Sequence, residues 1–195
     1  MILYYLAGFL NDGILLLMQK WKKIDSKVIL AHPRLRVVQD QVQLPDGSVT
    51  DYVRYDGYKS AVSIFTVKDG EVLMQREYSY PSDEVLQQIP CGAIEPGETP
   101  EAAARRELQE EAGYSAAKLE LIGSHYINNR RTDARLYVYV ATDVTECEKT
   151  GGDPEESIEP FWMPLSSLRK AIVDGEIDHP LVLTAWALFE ARQKS

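Results

Sequence analysis

A two-glycine loop followed by a capped helix places the strongest constraint on what this chain can fold into. Gly92 and Gly97 mark the loop, and Thr99-Pro100 follows it as a helix N-cap with proline at the first helical position. The pattern predicts a helix over residues 100–112 that ends at Gly113. Apolar, strand-like segments lie on both sides of this helix. Strands bracketing few helices predict an α+β fold, with a mixed β-sheet and helices packed on it.

The first third of the chain has a different pattern. Residues 35–40 and 52–55 alternate apolar and polar side chains on either side of a Pro-Asp-Gly turn, as in an antiparallel hairpin. Such hairpins are too small to bury a core alone, which favours a role that depends on a partner. We therefore expect a small N-terminal antiparallel β element over residues 20–57, serving in dimerisation, and a larger domain over residues 58–195.

Two interpretations of residues 1–19 stay open. The stretch is mostly apolar, but Asn11-Asp12-Gly13 would place a turn near the middle of a bilayer, so a membrane-spanning helix is not expected. No Lys or Arg precedes it and no small-residue cleavage site follows, which disfavours a secretory signal peptide. The segment is either a short hairpin or helix docked on the body, or upstream read-through with Met18 as the natural start.

Charge and cysteine content narrow the function classes. The chain has 21 Lys and Arg against 30 Asp and Glu, a formal net charge of -9, and it has no basic stripe, so nucleic acid is not an expected partner. An acidic protein that handles phosphates would need metal ions. The 2 cysteines, Cys91 and Cys147, form neither a disulfide framework nor a zinc motif. A reducing, cytoplasmic setting is therefore expected.

The predicted helix carries a cluster of carboxylates. Glu107, Glu110 and Glu111 are spaced i, i+3, i+4, so they lie on one side, at the edge of the face that would pack on the sheet. The neighbouring arginines cannot neutralise them fully once Glu98 is counted. A hard divalent cation, which prefers oxygen ligands, would compensate their repulsion. The competing interpretation is an ordinary solvated acidic helix face.

The wider pattern decides between these interpretations. Five residues separate Gly92 from Glu98, and seven more precede the run Arg106-Glu107-Leu108-Gln109-Glu110-Glu111-Ala112-Gly113-Tyr114. This pattern resembles the signature of the Nudix hydrolases at every fixed position over 23 consecutive residues. The soft point is Tyr114, where the family usually has an aliphatic residue. The resemblance implies a Nudix-type α/β/α sandwich with a mixed β-sheet.

The resemblance also implies roles for the motif residues. It implies Mg2+, with Mn2+ as an alternative ion, bound by three side chains and one backbone carbonyl: Glu107, Glu110, Glu111 and the carbonyl of Cys91. Glu110 is in addition a candidate catalytic residue. The remaining motif positions would be structural, with charge pairing between the loop and the helix: Gly92, Glu98, Arg106 and Gly113.

Segments outside the motif resemble the ADP-ribose pyrophosphatase branch of the family. They are residues 21–27, 44–47, 76–81, 89–92 and 174–177. Members of that branch hydrolyse nucleoside diphosphate sugars, and they are usually homodimers whose N-terminal strands cross to the partner. The resemblance implies Mg2+-dependent hydrolysis of such a substrate, with ADP-ribose to AMP and ribose 5-phosphate as the leading expectation. Ser79 and Asn128-Asn129 depart from the branch pattern and keep other nucleotide sugars open.

The catalytic base and the substrate contacts rest on weaker patterns. Relatives use a glutamate on a loop before the last strand, and by position Glu156 is the first candidate here and Glu155 the second. Arg54 and Arg76 are the candidates for substrate binding, with a surface ion pair as the competing interpretation for each. Hydrolysis of NADH or dinucleoside polyphosphates stays open, as does a non-catalytic nucleotide-sensing module, although no motif glutamate is missing.

Overall fold

The computed structural model describes residues 19–151 and 157–193. The chain divides into two units. One comprises the described residues up to Tyr58 together with Arg130–Thr132, and the other comprises Lys59–Asn129 and the described residues from Asp133 onward. Residues 1–18 lie outside the described residues, so both interpretations of the apolar N-terminal segment stay open.

The first unit is a three-stranded antiparallel sheet in the order β1-β2-β3. Its strands are β1 (Lys22–His32), β2 (Leu35–Gln43) and β3 (Val49–Tyr55). At the predicted turn the Gly47 amide donates to the Leu44 carbonyl at 3.0 Å. Gly47 has a φ of 86°, a backbone conformation that favours glycine. The predicted N-terminal antiparallel element is thus confirmed, with one strand more than a single hairpin.

The second unit is built on a seven-stranded mixed sheet. Its strands are β4 (Ala61–Lys68), β5 (Glu71–Ser79), β6 (Glu84–Gln88), β7 (Cys91–Ala93), β8 (Tyr114–Tyr126), β9 (Arg135–Glu146) and β10 (Ile158–Pro164). The main order is β10-β5-β4-β9-β8, with β6 beside β5 and β7 beside β4. Only the β4–β9 pairing is parallel among the pairings described.

Helices cover both faces of this sheet. They are α1 (Pro100–Glu107), which continues as a π-helical turn (Leu108–Ala112), α2 (Leu165–Asp174) and α3 (Pro180–Gln193). Successive strand residues point to opposite faces, so Ile64 and Leu73 pack in the cluster under α1, whereas Phe65 and Met74 pack in the cluster under α2 and α3. The expected α/β/α sandwich is confirmed. No helix of residues 19–151 and 157–193 combines the length and apolar character needed to cross a bilayer.

Strands β4 and β5 pair only beside the turn that joins them, at Val67↔Val72 and Lys68↔Glu71. Farther along, β4 and β5 separate. There β5 pairs with β6 and β4 pairs with β7, so the chain crosses from the β5 side to the β4 side between β6 and β7. The Pro90 carbonyl accepts from the Ile64 amide at 2.8 Å and ties this passage to β4. This crossing brings β7 and the loop after it next to the motif helix, where Cys91 contacts Glu111 and Ala93 contacts Arg106.

Candidate active site

The ends of the motif helix are set by local chemistry. Thr99 Oγ1 accepts from the Ala102 amide at 3.2 Å, and Pro100 occupies the first turn, where its missing N–H is not needed. Gly113 ends the π-helical turn with a φ of 74°. The prediction of a helix over residues 100–112 is corrected in one respect: the last five residues are π-helical. Such a turn at a helix end is typical of functional sites and has no single-residue signature.

Arg106 joins the loop to the helix. Its Nε and Nη2 donate to the two oxygens of Glu98 at 3.0 Å each, and Nη2 also donates to the Ala93 carbonyl at 2.9 Å. Its Nη1 donates to Glu107 at 2.7 Å and to Glu110 at 3.0 Å. The hydrogen bond with Glu98 is the largest cause that raises the pKa of Arg106 above its ordinary value, and it lowers the pKa of Glu98.

Glu111 has a set of hydrogen bonds separate from those of Arg106. Glu111 is only 7% exposed. Its Oε2 accepts from the Cys91 amide at 2.9 Å and from Gln75 Nε2 at 3.1 Å. Gln75 lies in the middle of β5 and is fully buried. Sequence reasoning missed Gln75, because a lone glutamine in an apolar strand carries no pattern that points to a residue 36 positions away.

The loop passes against the helix at Gly92. A Cβ atom built on Gly92 would overlap the carboxylate of Glu107, so no larger residue fits without moving that side chain. Glu107 is itself 9% exposed. The glycine therefore permits the close approach of loop backbone to a motif carboxylate.

The three motif glutamates are not gathered around one point. Glu107 and Glu110 converge on Arg106, whereas Glu111 contacts Cys91 and Gln75. Within residues 19–151 and 157–193, no three acidic, histidine or cysteine side chains are spaced to hold a metal ion. The chemistry of the donors nevertheless fits a hard divalent cation, which takes carboxylate and carbonyl oxygens. Gln75 Oε1 adds a buried acceptor, without a hydrogen-bond partner in the structure, beside the Glu111 carboxylate.

The two candidate substrate arginines are already paired. Arg54, in the first unit, donates to Asp40 at 2.7 Å and to Asp56 at 3.0 Å, and the hydrogen bond to Asp40 raises its pKa. Arg76 stacks 4.1 Å from the ring centre of Phe161 and lies 3.5 Å from Glu159. Because it follows Gln75 on a strand, Arg76 faces the side of the sheet away from Glu111.

Of the three candidate catalytic residues, Glu110 lies on the π-helical turn. Glu155 and Glu156 lie outside the described residues. The described segment before them, residues 148–151, lies next to the motif helix. A Cβ on Gly151 would lie 3.3 Å from Glu110 Oε1, and Gln109 Nε2 donates to the Glu148 carbonyl at 3.3 Å.

A cleft of about 540 Å³ opens between the π-helical turn and β10. Tyr114 and Trp162 line it with perpendicular rings 5.5 Å apart, and Trp162 Nε1 donates to the Tyr114 hydroxyl at 3.0 Å. That hydroxyl in turn donates to Glu146 at 3.2 Å. Tyr114, which stands where the family usually has an aliphatic residue, therefore gives the Trp162 indole N–H a hydrogen-bond acceptor. Trp162 packs against the core cluster under α1 and also lines this cleft.

Comparison with known proteins agrees with this fold and site. Residues 57–183 match the NUDIX domain, and residues 21–52 match the nucleoside diphosphate sugar hydrolase N-terminal domain. The chain therefore belongs to the Nudix family, and it is a pyrophosphohydrolase.

Individual relatives cover most of the chain. An ADP-ribose pyrophosphatase of Bacillus subtilis is 30% identical over 160 residues, which are 80% of this chain and 85% of the relative. A methanol dehydrogenase activator of Bacillus methanolicus is 27% identical over 159 residues, which are 80% of this chain and 85% of that relative. The crystal structure of an ADP compounds hydrolase has a TM-score of 0.83 at 22% identity, covering 91% of this chain and 96% of that chain, and it shows the shared fold.

Proposed function

We propose that this protein hydrolyses the pyrophosphate bond of a nucleoside diphosphate sugar with Mg2+, and that its substrate is ADP-ribose, cleaved to AMP and ribose 5-phosphate. One observation carries the proposal: a Nudix domain with all three motif glutamates follows an N-terminal domain of the nucleoside diphosphate sugar hydrolase type. The named activity of the Bacillus subtilis relative supports the choice of ADP-ribose.

The cation would be held by Glu107, Glu110, Glu111 and the carbonyl of Cys91. When bound, Mg2+ or Mn2+ neutralises phosphate oxygens and lowers the pKa of water, which a diphosphate needs before water can attack it. The chain's own residues prepare this site. Arg106 orients two of the carboxylates, and Gly92 lets the loop backbone lie against Glu107.

For the catalytic base we propose Glu156, with Glu155 second and Glu110 as the candidate on the helix itself. The support is that the chain enters segment 152–156 beside Glu110, at Gly151. Separate Glu→Gln variants at the three positions, assayed across pH, test the order. The base is the position whose variant loses the acidic limb of the pH–rate profile while still binding the ion.

For substrate binding we propose Arg54 and Arg76. Each is engaged with carboxylates, so binding a phosphate would require it to exchange one anion for another. Arg→Gln variants that raise KM and leave kcat unchanged would support a binding role. Variants with unchanged KM would leave these arginines as structural ion pairs.

We also propose that the protein is a cytoplasmic homodimer formed through the first unit. Every one of the 11 residues of β1 is exposed, including Ile24, Val28, Ile29 and Leu30. An exposed apolar edge strand of this length favours pairing with another chain. Light scattering after size-exclusion chromatography should give twice the chain mass, and Ile24→Lys with Ile29→Lys should shift it toward the monomer. A wild-type monomer at micromolar concentration would refute the dimer.

Product analysis is the test of the activity. Pure protein is incubated with ADP-ribose, other nucleotide sugars, NADH and dinucleoside polyphosphates, each with Mg2+ or EDTA, and the products are separated by ion-exchange chromatography. AMP and ribose 5-phosphate from ADP-ribose, at the highest rate of the panel, support the proposal. A faster rate on another compound reassigns the substrate, and tight binding of ADP-ribose without any product supports a sensing module instead.

A further inference from the structure

Gln75 is an unusual residue for its place in the fold. It is fully buried on β5, beside the equally buried Leu73 and Met74. Its Oε1 is buried and has no hydrogen-bond partner in the structure. Burying an acceptor without a partner destabilises a folded protein, and an apolar side chain of the same size would avoid that loss. A role other than packing would explain why the amide is kept.

The other end of the amide identifies that role. Gln75 Nε2 donates to Glu111 Oε2 at 3.1 Å, and the Cys91 amide donates to the same oxygen at 2.9 Å. Because Oε1 and Nε2 belong to one amide group, the unpaired acceptor also lies beside the Glu111 carboxylate. The buried acceptor of Gln75 is thus part of the same amide group that contacts Glu111.

The strands on either side of Gln75 do not supply its Oε1 with a donor. Pro160, opposite on β10, has no backbone N–H. Gln88, opposite on β6, donates its Nε2 to Glu77. The contact that Gln75 does make is with Glu111, on the motif helix.

We propose that Gln75 is a positioning residue of the divalent-cation site: Nε2 fixes the orientation of Glu111, and Oε1 accepts from water in the hydration shell of the ion. This inference rests on the proposed function. The donors from Gln75 and Cys91 to Glu111 Oε2 are neutral amides, so they orient the carboxylate without adding a positive charge beside it.

The inference separates ion binding from stability. Gln75→Met keeps the length of the side chain and removes both polar atoms. Glu111 then loses a hydrogen bond, but the buried unpaired acceptor is also removed, so the two effects oppose each other in the metal-free protein. In the metal-bound wild-type protein the Gln75 acceptor is satisfied, so Gln75→Met only removes favourable hydrogen bonds and weakens ion binding. Partners of this kind commonly change metal affinity by about 10-fold to 100-fold.

The experiment measures Mn2+ binding to the full-length protein by electron paramagnetic resonance, together with Tm in EDTA. Gln75→Met should raise the Kd for Mn2+ by at least about 10-fold. Its Tm in EDTA should stay within about 3 °C of wild type, the shift that corresponds to about 1 kcal/mol in a protein of this size. The Mg2+ concentration for half-maximal hydrolysis should rise by the same factor as the Kd.

Thr66→Val is the matched control. Thr66 is fully buried on the neighbouring strand β4 and its hydroxyl also has no hydrogen-bond partner in the structure, but no hydrogen bond links it to a motif glutamate in the structure. The control should bind Mn2+ as wild type does. Adding Gln75→Met to Glu111→Gln should weaken Mn2+ binding by a smaller factor than Gln75→Met does in the wild-type protein, since part of the effect of Gln75 acts through Glu111.

Wild-type Mn2+ affinity in Gln75→Met overturns the inference, as does a variant that is unfolded or much less stable in EDTA. Either result leaves the proposed function intact if the wild-type protein binds Mn2+ and hydrolyses its substrate. A wild-type protein that does neither refutes the proposed function, and the inference with it.

Discussion

The Arg106 guanidinium and the Glu98 carboxylate form a two-bond ion pair, with Nε–Oε1 and Nη2–Oε2 distances of 3.0 Å each. The pair spans the loop and the helix of the motif, and both side chains are largely shielded from water. The same guanidinium contacts Glu107 and Glu110. One residue therefore couples loop geometry to the orientation of two candidate metal ligands.

Arg106→Lys should destabilise the protein by about 1.5–3 kcal/mol, because an ammonium group cannot reproduce the paired, charge-assisted bonds. Urea denaturation followed by circular dichroism measures the change. Arg105→Lys is the control, since Arg105 pairs with Glu101 at the surface at 2.8 Å, and it should change the free energy of unfolding by less than about 1 kcal/mol. Equal losses in the two variants would contradict the structural role given to Arg106.

Gly92→Ala should impair catalysis, since its Cβ would displace the Glu107 carboxylate. A displacement near 1 Å at a catalytic group lowers rates by about 100-fold, and we expect kcat/KM to fall by that order. Gly97→Asn is the control within the same loop: position 97 has a φ of 83° with open space around it, and asparagine tolerates that conformation. A fully active Gly92→Ala enzyme would show that the close approach is unimportant.

Asp40 predicts a pH dependence of stability in the first unit. Burial raises its pKa, but hydrogen bonds from Ser26 and Arg54 outweigh burial, so the folded-state pKa is below the ordinary value of 3.8. A depressed carboxyl pKa stabilises the fold above the unfolded pKa, and that contribution is lost as pH falls through the folded value. Tm should therefore drop below about pH 4.

The variant Asp40→Asn should lower Tm at neutral pH and flatten the acid limb of the Tm–pH curve. Asp25→Asn, at an exposed position on β1, should leave the curve unchanged. An acid limb as steep in Asp40→Asn as in wild type would exclude Asp40 as its source.

Tyr114→Phe should lower the free energy of unfolding by about 1–3 kcal/mol, because Trp162 Nε1 loses its partner in a half-buried cleft. Thermal unfolding followed by tryptophan fluorescence is the measurement. Tyr78→Phe removes an exposed hydroxyl that donates to Asp83 and serves as the control, with little effect. An unchanged Tm for Tyr114→Phe would mean that water replaces the hydroxyl without loss.

Local patterns predicted much of this molecule. The cap at Thr99, the proline after it and the left-handed glycine at 113 all act within a few residues, so adjacent sequence is enough to find them. Alternation of apolar residues likewise predicted the N-terminal antiparallel element, and strand-like segments on both sides of the motif helix predicted the mixed sheet. The motif identified the family because its spacing is contained in one loop and one helix.

Features that depend on contacts distant in sequence could not be predicted. Gln75 meets Glu111 across 36 positions, beside the place where β4 and β5 separate and the backbone at Cys91 also contacts Glu111. Similarly, the charge of Arg76 suggested a substrate contact, but its strand position turns it toward Phe161. The pairing register of the strands decides which residues Gln75 and Arg76 contact, and the sequence of one strand alone does not determine that register.

The most direct test of the central claim is the rate of AMP formation from ADP-ribose, measured across a Mg2+ titration for wild type and Glu111→Gln in parallel. Wild type should form AMP only when Mg2+ is present, and the variant should be at least about 100-fold slower at saturating Mg2+ with an unchanged circular dichroism spectrum. Equal rates in the two proteins, or AMP formation by wild type in EDTA, would contradict the assignment of these carboxylates to a cation that drives hydrolysis.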